Sequence, residues 1–144
     1  MSRFFRFVLA LATGLSLIGG AGAAPDEPVK VVYHLSDGVQ QAARAMGNIR
    51  NHLDADPKAR IVVVAHGPGI DFLLDGATTP TGQPFAGAIG ELAGRGVQFK
   101  VCNNTLVARK ISADQVAMEA QVVPSGVAEV ARLQAREGYV YLKP

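Results

Sequence analysis

The chain has no tryptophan, three tyrosines, six phenylalanines, three histidines and one cysteine among its 144 residues. A single cysteine cannot form an intramolecular disulfide, so the fold must be held by packing rather than by cross-links. The few aromatic rings offer few platforms for stacked bases. No close CxxC or HxxxH pair announces a metal site, and neither GxGxxG nor GxxxxGK[ST] announces a nucleotide site. Beyond the first 23 residues no apolar run approaches the roughly 18 residues a membrane span requires.

Those first residues have their own pattern. Arg3 and Arg6 precede the apolar stretch FVLALATGLSLIGG, and the small residues AGAA follow it. This is the order of a secretory signal, which predicts an exported, periplasmic protein whose mature chain begins near Ala24, with an uncleaved N-terminal anchor as the alternative. Residues 24–28 then read as a linker and 29–144 as one domain. Removing residues 1–23 from the 144 leaves 121, enough for one core. Loss of Arg3 and Arg6 takes the 14 basic residues to 12, against 12 acidic ones. A neutral balance gives no electrostatic footprint for nucleic acid, and no stable membrane span is expected once the signal is cleaved.

Periodicity in the remainder alternates strand and helix. A strand is expected at about Val29–His34. Val39, Ala42, Met46, Ile49 and Leu53 share a helical stripe, with Asp37 and Gln40 spaced as a capping box. The run RIVVVA is continuous and apolar, as in a strand buried on both faces. A short apolar helix, a polar loop at Gly76–Gly82 and a second helix lead to a third strand, VQFKVC, whose alternation suggests one less covered face. Ser112 and Gln115 form a second capping box. AQVV is a fourth strand, Ser125 caps a helix with Val127, Val130 and Ala131 inward, and YVYL is a fifth strand. This order predicts an α/β fold, a three-layer α/β/α sandwich on a five-stranded, mainly parallel sheet. Phe72, Tyr141 and the loop around Thr78–Phe85 are candidates either for exposed contacts or for packing within the monomer.

In such a sheet, ligands bind outside the carboxyl ends of the strands. Three strands end at or near His34, His66 and Cys102, 32 and 36 residues apart, one βα unit each. Cys102 passes into NNTL, where Asn103, Asn104 and Thr105 are capping candidates; a helix start there lowers a thiol pKa and makes it a usable nucleophile. Lys100, Arg109 and Lys110 add positive charge nearby in sequence. The opposing reading is a small apolar residue packed at a strand end. Gly67 and Gly69 in AHGPGI let a backbone approach a ligand or present N–H groups to an anion, or merely form a turn. The His34, His66 and Cys102 set is also a candidate for a transition metal, and Asp71 or Asp75 for a Cys-His-Asp triad. With no motif behind either, no metal or other cofactor is expected. Asn103–Thr105 also matches the glycosylation acceptor pattern, which arises often by chance.

The segments VVYHLSDG, IVVVAHGPGIDFLL, GVQFKVCNNTL and VVPSGVAEVARLQAREGYVYLKP together resemble the DsrE/DsrF-like family, in its branch of small exported proteins. The resemblance implies the three-layer fold, assembly as a homo-oligomer, a trimer or hexamer, and Cys102 as a sulfur carrier that holds sulfane sulfur as a persulfide. Its partners would be a small sulfur compound or a sulfur-donor or acceptor protein. His34, His66, Gly67, Gly69, Asn103, Asn104 and Thr105 are then the binding candidates around it. A non-catalytic module for a small anion or metal, or an oligomeric accessory subunit, are the alternatives. Whether the protein is an enzyme, a sulfurtransferase, stays open at this level.

Overall fold

A computed structural model describes residues 27–144; the expected signal segment and most of the linker lie outside the described residues. The strands are β1 (Lys30–Leu35), β2 (Arg60–Ala65), β3 (Gln98–Cys102), β4 (Ala120–Val123) and β5 (Val140–Leu142). They form one sheet in the order β4-β3-β2-β1-β5, parallel at every pairing. Its α-helices are α1 (Val39–Ala55), α2 (Phe85–Gly94), α3 (Asn103–Ala108) and α4 (Gly126–Glu137), with 3₁₀ turns at Gly67–Leu73 and Ala113–Gln115.

Because strand side chains alternate, the sheet carries two unequal cores. Val31, Tyr33, Leu35, Ile61, Val63, Ala65, Phe99 and Val101 pack with α1, α2 and the first 3₁₀ turn in the large cluster. On the opposite face Val32, Val62 and Val64 meet Val130 and Leu133 of α4, with Tyr139 packed against them. The partly covered face expected at β3 is this one, but it is closed at Lys100 by charge rather than left open. Lys100 is 8% exposed, and its Nζ lies 2.5 Å from Glu129 Oε1 in the first turn of α4. Glu129 also accepts from Arg132, at 2.8 Å.

Several local expectations are corrected. Asp37 and Gln40 form no capping box: Gly38 is the N-cap of α1, without a side-chain cap bond. Gln41, one residue later and therefore on the inward face, accepts from the N–H groups of Ser36 and Asp37 at 2.8 and 2.9 Å. Val127 and Ala131 face solvent, because α4 buries the stripe Gly126, Val130 and Leu133 instead. Phe72 is no surface contact; it is 1% exposed and packs edge-on against Phe85 and Phe99. Phe85 is buried with it, whereas Tyr141 is exposed. The Ser112–Gln115 box and the Ser125 cap are present, the latter accepting from Ala128 N–H, and Gly138 ends α4 in a left-handed turn. Among the described residues no helix is long and apolar enough to cross a membrane.

The buried ion pair generates a prediction. Arg132, opposed by burial and aided by Lys100, holds the Glu129 carboxyl at about 2, below its ordinary 4.5. A depressed acid contributes stability that is complete above its unfolded pKa and disappears as pH falls toward the folded one. Glu129→Gln should therefore cost about 3 kcal/mol at neutral pH, since it strands the Lys100 charge. It should also flatten the loss of stability between pH 4.5 and about 2, as read from urea unfolding midpoints.

Candidate functional site

β1, β2 and β3 run parallel, so their carboxyl ends share one edge of the sheet. His34 is the penultimate residue of β1, His66 directly follows β2, and Cys102 is the last residue of β3. The pairing of Ala65 with Val101 sets His66 beside Cys102 on the α4 face. The β4–α4 turn then lays Gly126 across them. A Cβ built at Gly126 would stand 3.0 Å from the Cβ of His66 and 3.2 Å from that of Cys102, closer than side chains pack without displacement.

Cys102 is 4% exposed. Burial pushes its thiol pKa up, but the Gly126 N–H, the Thr105 hydroxyl and the Thr105 and Asn104 N–H groups together outweigh burial and hold it below the ordinary thiol value. The donors act as a relay: Thr105 Oγ accepts from the Gly67 N–H at 2.9 Å, which leaves its own proton for the sulfur. The Asn104 N–H, whose effect is the smallest, also faces the Pro124 carbonyl at 3.3 Å. Hydrogen bonds to the charged form favour it.

Two of the three basic residues near Cys102 in sequence are engaged elsewhere. Lys100 pairs with Glu129, and Arg109 donates to Asp71 at 2.6 Å. Cys102 is itself the N-cap of α3, with no side-chain cap bond, so Asn103, Asn104 and Thr105 do not cap as expected. Asn103 and Asn104 are exposed. Gly67 and Gly69 form no open anion nest: the Gly67 N–H is taken by Thr105, and the Gly69 N–H by the His66 carbonyl at 3.0 Å. Gly69 is needed for contact with β1, since a Cβ there would lie 2.2 Å from the Leu35 carbonyl oxygen.

His34 and His66 meet each other, Nε2 to Nε2 at 2.6 Å, rather than converging with Cys102 on one point. Among the described residues no group of three His, Cys, Asp or Glu side chains is arranged to hold a metal ion, and neither Asp71 nor Asp75 hydrogen-bonds to these histidines. A cleft of about 420 Å³ opens between the 3₁₀ turn and α3, lined by Pro68, Asp71, Asn104, Thr105 and Arg109. Asn104 and Thr105 belong both to this cleft and to the surroundings of the sulfur.

The family model for the DsrE/DsrF-like family matches residues 10–144. The chain belongs to that family. A solved DsrE-like structure, MTH1491 of Methanobacterium thermoautotrophicum, described as a protein of unknown function, is 32% identical with a TM-score of 0.71, covering 81% of this chain and 99% of its own. The ychN protein of E. coli, 13% identical with a TM-score of 0.64 over 82% and 99%, shares the fold. No curated protein matches the chain. Membership of the DsrE/DsrF-like family associates the chain with proteins of sulfur-relay type.

Sequence reasoning missed Gly126, although the Pro-Ser-Gly turn before α4 marks a helix start bound for the same sheet edge. It also missed Glu129 as the partner of Lys100, because pairing across 29 residues has no local signal. Thr105→Val should remove a donor from the sulfur with little change in volume and raise the thiol pKa. We expect roughly tenfold less thiolate at neutral pH, equivalent to about 1.4 kcal/mol, seen as a rightward shift in the pH profile of alkylation by iodoacetamide. An unchanged profile would remove Thr105 from the thiolate's support.

Proposed function

We propose that the protein is an exported sulfur carrier that holds sulfane sulfur as a persulfide on Cys102. The observation that carries this reading is a thiol kept below its ordinary pKa, without a formal charge beside it, at the carboxyl edge of a parallel sheet. The thiolate is the nucleophile in sulfur exchange. It attacks the outer sulfur of a persulfide R–S–SH, the new S–S bond forms as the old one breaks, and RS⁻ leaves with the bonding pair. The donors around Cys102 then face a terminal sulfur that also carries negative charge.

Membership of a family of sulfur-relay type supports the reading, and the single cysteine agrees with carriage rather than dithiol chemistry. With Cys102 only 4% exposed, its first donor is a small sulfur compound, and exchange with a folded protein requires movement at α3 or α4. The Arg-apolar-small pattern of the first 23 residues supports export to the periplasm. Exposed Val140, Tyr141 and Leu142 on the edge strand β5 support association of copies of the chain.

Intact mass spectrometry tests the reading. Purified protein exposed to polysulfide should gain one sulfur, reversibly under dithiothreitol, and Cys102→Ser should gain none. An unmodified mass, with a thiol that refuses alkylation until the protein unfolds, would make Cys102 a packing residue.

A further inference from the structure

The hydrogen bonds that stabilise the Cys102 thiolate use neither the neighbouring His66 imidazole nor that of His34. His66 follows Ala65, which pairs with Val101, so His66 lies just past the end of β2 beside Cys102, the last residue of the adjacent strand β3, with the strands about 4.8 Å apart. Both border Gly126. The two Nε2 atoms of His34 and His66 lie 2.6 Å apart, with ring centroids at 4.8 Å. So short a contact requires one proton between the nitrogens: two bare lone pairs repel, and two N–H groups collide. The pair therefore exists neutral or with one extra proton, never with two.

The surroundings fit a group that exchanges that proton. His34 Nδ1 meets the Tyr141 hydroxyl at 2.8 Å, and Tyr141 is 40% exposed, so the outer end of the chain of hydrogen bonds reaches solvent. Burial, then His66 and Lys143, lower the His34 pKa against an opposing pull from Asp37. Asp37 and Lys143 are bridged to each other at 3.0 Å. On the α4 side the charged groups are Lys100, Glu129 and Arg132, paired among themselves. No carboxylate hydrogen-bonds to either ring among the described residues, so the hydrogen-bonded partners of the pair are the other imidazole and the Tyr141 hydroxyl.

We propose that the His34–His66 pair is the acid of the sulfur-uptake step: His66 protonates the thiolate expelled when Cys102 takes sulfur, and His34 is the positioning residue that returns the proton. The inference rests on the carrier reading of Cys102. The Cys102 thiolate attacks R–S–SH, the S–S bond of the donor breaks, and RS⁻ takes the proton from His66 to leave as RSH. The new Cys102 persulfide, a sulfur acid, then gives its own proton to the pair. The net change is thiolate plus persulfide to bound persulfide anion plus thiol, with no oxidant or reductant consumed. An alkyl thiol with a pKa near 8.5 is a poor leaving anion, and protonation as the bond breaks relieves that limit.

The test compares two reactions of Cys102 in the full mature chain across pH. One is alkylation by iodoacetamide, which expels iodide and needs no acid; the other is sulfur uptake from an alkyl persulfide, followed by mass. The quantity read is the ratio of wild-type to His66→Gln rates, in which ionisation of the donor cancels. The uptake ratio should be about a hundredfold or more at the acidic end, the lower end of general-acid contributions, and fall toward one as the pair loses its proton. The alkylation ratio should stay near one throughout. His34→Gln should lower uptake less than His66→Gln and again spare alkylation. Equal losses in both reactions, or an uptake ratio near one at every pH, would overturn the proposal. If the wild type takes up sulfur with a flat ratio, only this proposal falls; if it takes up none while alkylating normally, the carrier reading falls with it.

Discussion

The first residue of α4 is wedged between the ends of β2 and β3, and the arrangement of the site follows from how little space it has. A methyl group at position 126 would press on the Cβ atoms of both His66 and Cys102, at 3.0 and 3.2 Å. Glycine admits the helix N-terminus to that depth, which brings the Gly126 N–H to the sulfur. Three rows of contacts hold it there: Val130 and Leu133 on the small apolar core, the Lys100–Glu129 pair on β3, and the Ser125 cap. Because Glu129 lies in the same helical turn as the donor, the ion pair and the thiolate share one rigid support.

That support explains why the thiol is tuned by dipoles rather than by charge. Lys100 lies two residues before Cys102 on the same face, an obvious source of positive potential. Its partner Glu129 neutralises it at 2.5 Å, and Arg109 is neutralised likewise by Asp71. What remains are N–H groups and one hydroxyl whose orientation is fixed by backbone geometry. Such donors are held in place by the backbone, whereas a mobile lysine would reorganise. The neighbouring histidines are then free of the thiolate's support and spend their hydrogen bonds on each other and on Tyr141.

Much of the architecture was legible along the chain. The continuous apolar run RIVVVA marked the sheet centre because both faces of a parallel strand are covered. Gly138 and Ser125 marked the ends of α4 because caps act over three or four residues. The convergence of His34, His66 and Cys102 on one edge followed from the βα spacing. The failures share one cause. Gln41 in place of Gln40, and Leu133 in place of Val127 and Ala131, are rotations of one or two residues about a helix axis, set by what the helix meets. Phe72 was left open between surface and core for a related reason: its two aromatic partners, Phe85 and Phe99, lie on other elements.

The amino-acid sequence alone determined the succession of strands and helices, the parallel sheet that this succession imposes, and the presence of one thiol with no partner for a disulfide. These depend on periodicity, capping and counting, which are local. Only the tertiary structure decided which groups touch the sulfur. Gly126 approaches Cys102 from 24 residues further along the chain, Thr105 is committed to Gly67 across 38, and two histidines 32 apart close on each other. Contacts between residues so far apart depend on how the helices pack on the sheet, and no spacing in a sequence encodes them.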